Sequence, residues 1–63
     1  MPITYETEDG EQHTSMSSIV PSEGEKVILN KDLGLVGVFE VVWVEYIVTE
    51  HSTSALVRVE EVD

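Results

Sequence analysis

The chain has no cysteine. Disulfides and thiolate metal sites are therefore excluded, and folding must rest on packing, hydrogen bonds or a partner chain. Basic residues are nearly as scarce. Lys26, Lys31 and Arg58 stand against thirteen acids, for a formal net charge of −10. Such a surface repels nucleic acid and anionic membranes and attracts basic partners or cations. Alanine occurs once, at Ala55, and no window of helical length carries an i, i+3, i+4, i+7 apolar pattern. The four glycines are isolated and none precedes a Lys-Ser or Lys-Thr pair, so no phosphate loop is present. The longest apolar stretch, Val36 to Val48, contains Glu40 and Glu45 and is too short to span a bilayer as a helix. The start, Met1-Pro2-Ile3-Thr4-Tyr5-Glu6, lacks the basic and apolar regions of a signal peptide. A soluble cytoplasmic protein is expected.

What is present is strand material. Apolar residues make up 41% of the 63 residues, with Val, Ile and Thr abundant. That is too apolar for a disordered acidic tail, and the length allows one domain. A domain this small buries only ~60% of its unfolded surface. Ile3, Tyr5 and Thr7 alternate with Thr4 and Glu6, and Asp9-Gly10 then predicts a tight hairpin. Gln12 to Ile19 returns as a polar strand suited to a sheet edge. Val20 to Glu25 reads as a turn around Pro21 and Gly24, Lys26 to Asn30 as a short strand, and Lys31 to Gly34 as a loop or a brief helical turn.

Val36 to Thr49 exceeds an ordinary strand. Phe39 and Val41 share one face, whereas Val44, Tyr46 and Val48 fall on the opposite face of a flat strand. A bulge near Val42-Trp43 would bring both sets to one core. Ala55 to Glu60 closes the fold with Ala55, Val57 and Val59 facing inward. The expected architecture is all-β: a five-stranded antiparallel SH3-like barrel, or a partly open one. Its expected core is Ile3, Tyr5, Val27, Leu29, Phe39, Val41, Val44, Tyr46, Val57 and Val59.

Three segments carry a family resemblance: Pro21-Ser22-Glu23-Gly24-Glu25-Lys26-Val27-Ile28-Leu29, Gly37-Val38-Phe39-Glu40-Val41-Val42-Trp43-Val44-Glu45-Tyr46, and Ala55-Leu56-Val57-Arg58-Val59. Together they resemble the short SH3-like β-barrel proteins of bacteriophages and bacteria, over roughly residues 21 to 60. In those proteins a Pro-x-x-Gly-Glu turn leads into a short strand, then a Gly-x-Phe-x-Val-x-x-Val-x-aromatic strand and a final Val-x-Val strand. The resemblance implies the fold and brings no catalytic residues. A phage-encoded member would sit in the host cytoplasm or the virion.

No catalytic constellation is visible. His13 and His51 are the only histidines, too few for a zinc or copper site without other ligands at compatible spacing. The carboxylate pairs Glu6/Glu8, Glu23/Glu25 and Glu60/Glu61 lie in or beside turns, where solvation is easy. No serine or threonine has a base placed to activate it. Neither a cofactor nor a metal is expected. The leading expectation is a non-enzymatic interaction module that meets a partner's basic surface. Its binding residues would be Glu6, Glu8, Asp9, Glu11, Glu40, Trp43, Glu45, Glu60 and Glu61, with Glu23 and Glu25 adding to the acidic face. Glu40 and Glu45 either point into water or mark a partner-facing stripe. Trp43 either anchors an interface or caps the core. A phage-type inhibitor occupying a host protein's nucleic-acid groove fits this surface. The alternative is a virion accessory or self-assembling subunit, associating through the second strand's edge and the apolar faces of Val36 to Val48. A third reading is capture of a small ligand at an oligomer interface.

Overall fold

The computed structural model describes residues 1–30 and 37–62. Five strands run in chain order: β1 Pro2–Glu6, β2 Gln12–Met16, β3 Lys26–Leu29, β4 Gly37–Val48 and β5 Thr53–Glu61. They form one sheet, ordered β2-β1-β5-β4-β3, curled into the half-barrel of a small, partly open SH3-like fold. The expected loop at Lys31 to Gly34, and Val36 at the head of the long strand, lie outside the described residues.

The all-antiparallel expectation needs one correction. β1 runs parallel to β5, with Ile3 beside Ala55 and Glu6 beside Arg58. The other three pairings are antiparallel. The cause is topological. Successive strands alternate in direction, so the first and fifth point the same way, and joining them side by side makes a parallel pair.

The hairpin forms at the expected dipeptide. Gly10 N donates to Thr7 O at 3.0 Å and Thr7 N to Glu11 O at 2.9 Å. Gly10 adopts φ 91°, the left-handed geometry that closes a three-residue loop. A Cβ at Gly10 would meet nothing within 4 Å, so Gly10→Ala carries a backbone cost alone. That cost is expected to be about 1–2 kcal/mol, read as a lower midpoint in urea unfolding.

β4 carries the expected bulge. Its register against β5 passes from Val41↔Val59 to Trp43↔Arg58, which leaves Val42 as the extra residue. The inserted residue reverses the alternation, so Phe39 and Val41 share the inner face with Val44 although five positions separate Phe39 from Val44. Ile3, Leu29, Phe39, Val41, Ala55, Val57 and Val59 form the buried core, and Tyr5, Val20, Val27 and Val44 pack against it. Tyr46 is the exception to the expected core, at 56% exposed, and Val48 beyond it is 71% exposed. Both lie on the inner face where the sheet has narrowed. β3 pairs with β4 only over Gly37 to Glu40, and β1 meets β5 only from Ile3↔Ala55 onward. Past those limits β4 and β5 continue as a two-stranded arm on which Tyr46, Ile47 and Val48 are exposed.

Candidate functional site

The registers divide the molecule into two poles. β1, β3 and β5 run toward one end, and β2 and β4 start there and run away from it. The β1–β2 turn, with Glu8, Asp9 and Glu11, therefore lies at the same end as Glu60 and Glu61 of β5. Glu40 is directly opposite Glu60 on the neighbouring strand. Glu25 belongs to this half as well, since its carbonyl accepts the Val41 N–H at 2.8 Å. Glu23 precedes it in the turn that Glu25 N closes on Ser22 O at 3.0 Å. All of these acids are exposed.

The half-buried Glu6 is engaged within the fold. Arg58 Nη1 donates to Glu6 Oε1 at 3.0 Å, and Gln12 Nε2 donates to Glu6 Oε2 at 2.6 Å. Arg58 Nη2 also reaches the Glu8 carbonyl at 3.4 Å. The guanidinium ties the hairpin to β5 and neutralises one acid on the sheet's outer face. Glu6 is thus a structural carboxylate tied to Arg58 and Gln12. Lys26 lies beside Glu40 at the pole's flank.

Asp9 shapes the turn. Its Oδ1 accepts from the Thr7 hydroxyl and from the Glu11 N–H, the latter at 3.4 Å. The Thr7 hydrogen bond, followed by that of the Glu11 backbone, holds the Asp9 carboxyl below the ordinary aspartate range. A lowered carboxyl contributes stability above its unfolded value and loses it as pH falls through the folded value. Asp9→Asn is therefore expected to flatten the acid limb of the stability–pH curve at and below about pH 4, as read by thermal melts across that range.

His13 lies on the inner face of β2 opposite Tyr5. Its Nε2 is 3.1 Å from Glu11 Oε1, at charge-pair distance but without hydrogen-bond alignment. His51 is exposed in the β4–β5 turn at the other pole, so the fold keeps the two histidines apart. Among the described residues, no group of three or more His, Asp or Glu side chains could hold a metal ion.

Glu40 and Glu45 are both exposed on the outer face of β4, an arrangement only the bulge makes possible. They do not form one stripe. Glu40 belongs to the acidic pole, whereas Glu45 faces Leu56 farther down the sheet. Trp43 is half-buried on the outer face, opposite Arg58 and outside the core cluster.

The other pole carries the exposed apolar side chains Met1, Met16, Tyr46, Ile47 and Val48. Sequence reading missed this polarity because it depends on which strands become neighbours. Among the described residues no helix is long and apolar enough to cross a membrane. Comparison with known proteins finds no matching family model, no matching curated protein and no matching solved structure.

Proposed function

We propose that this chain is a non-enzymatic interaction module whose acidic pole binds a basic protein surface. The observation that carries the reading is the parallel β1–β5 pairing, which brings Glu8, Asp9 and Glu11 to the end occupied by Glu40, Glu60 and Glu61. Clustered carboxylates on a rigid sheet end raise the local negative potential far above that of the same charges spread evenly. They would steer a cationic partner and fix its orientation. A nucleic-acid-binding groove on another protein has the matching chemistry, and occupying it would make the module an inhibitor by charge mimicry. That role accords with the resemblance to phage SH3-like proteins.

Titration calorimetry against a lysine-rich peptide tests the reading. Affinity is expected to fall steeply between low and high salt. An affinity indifferent to ionic strength would contradict it.

A further inference from the structure

The apolar pole carries a second surface, independent of the acidic one. β4 outlasts its partner β3: beyond the bulge, among the described residues, only β5 flanks it. The direction of its free backbone groups follows from the hydrogen bonds at either end. Val41 turns away from β5, since its N–H donates to Glu25 O and its C=O accepts from Gly24 N, both at 2.8 Å. Thr49 turns back into the β4–β5 hairpin, its N–H donating to Ser52 O at 2.8 Å. Alternation back from Thr49 directs Ile47 and Glu45 toward β5 and leaves the N–H and C=O of Val44, Tyr46 and Val48 facing outward. An uncovered edge with exposed Tyr46, Ile47 and Val48 is a template for another strand.

We propose that this edge pairs with the same edge of a second copy, antiparallel about a two-fold axis at Tyr46. In that register Tyr46 opposes its own symmetry mate and Val44 opposes Val48 of the other copy. These are the residues whose backbone groups point outward, so each opposed pair exchanges two N–H···O bonds. Glu45 meets Ile47, and no like charges are opposed. The layout of charge favours a second copy over a basic peptide here. Among the described residues the acids crowd the far pole, and only Glu45 and Glu50 lie near the arm. Antiparallel pairing sends the two acidic poles to opposite ends of the dimer. The long axis of one copy is 39 Å, so the poles stand many times the ~8 Å screening length apart. Both poles also stay free to bind.

Sedimentation equilibrium of the full chain, from micromolar to millimolar concentration at low and high salt, tests the proposal. The wild type is expected at twice its 7.0 kDa mass, with association tightening in salt. Tyr46→Pro deletes an outward N–H without removing a β4–β5 bond, and proline is tolerated on a sheet edge. It is expected to weaken the dimer about tenfold or more. Val48→Lys, which leaves the backbone intact, is expected to do the same, and it decides the matter if Tyr46→Pro fails to fold by circular dichroism. Ile28→Lys, exposed on β3, is expected to leave the mass unchanged. Glu60→Lys with Glu61→Lys alters the acidic pole alone and is expected to leave the dimer intact. A wild type that stays monomeric at millimolar concentration in both salts would overturn the proposal. So would a dimer that survives both edge variants.

Discussion

Ile3→Ala is expected to cost about 2–5 kcal/mol and to leave little folded protein at 25 °C. Ile3 is 0% exposed and lies between Ser15 of β2 and Ala55 of β5. Its side chain thus seals the seam where the first hairpin joins the rest of the sheet. A core in a domain this size rarely supplies more than about 3–5 kcal/mol, so a single cavity at this seam removes most of the margin. The cost should appear as loss of the cooperative thermal transition in circular dichroism. Ile28→Ala is the comparison. Ile28 is a similar side chain in a strand but is 79% exposed, and its truncation is expected to stay within about 0.5 kcal/mol of wild type. If Ile3→Ala melted like Ile28→Ala, the parallel β1–β5 seam would not be holding the fold.

Reversing charge at the acidic pole is expected to separate binding from stability. Glu60→Lys together with Glu61→Lys should slow association with a lysine-rich peptide by about tenfold at low salt, measured by stopped-flow fluorescence. The same change is expected to leave stability unchanged or raise it by about 0.2–1 kcal/mol. Glu40 and Glu60 are direct cross-strand neighbours, and like charges so placed repel. Glu45→Lys changes the net charge by one fewer replacement but sits away from the pole, opposite Leu56. It should slow association far less. Equal slowing per charge at both places would mean that net charge alone governs binding and that the pole has no special part in it.

Local sequence carried the strands, the first hairpin and the bulge, because each rests on near neighbours. Asp9-Gly10 supplies a left-handed turn residue between two alternating runs. The phase break between Val41 and Val44 has one economical solution, an extra residue at Val42, and that is where the register shifts. Long-range neighbours were not legible. Nothing in the residues of β1 says that β5 lies beside it, so neither the parallel pair nor the acidic pole it builds could be read in advance. The Glu6–Arg58 ion pair spans 52 positions and follows from that same pairing. Tyr46 looks like a core residue because it shares a face with Val44. Its exposure is set by where β1 and β3 stop, a boundary that the pattern within β4 does not encode.

The central claim is that binding of a basic partner is confined to the acidic pole. Titrating the protein with a lysine-rich peptide while recording amide shifts by NMR, at low and high salt, tests it most directly. The account predicts shifts concentrated at Glu8 to Glu11, Glu23 to Glu25, Glu40 and Glu60 to Glu61, fading as salt rises. Shifts spread over the whole sheet, or centred on Tyr46 to Val48 and unmoved by salt, would contradict it.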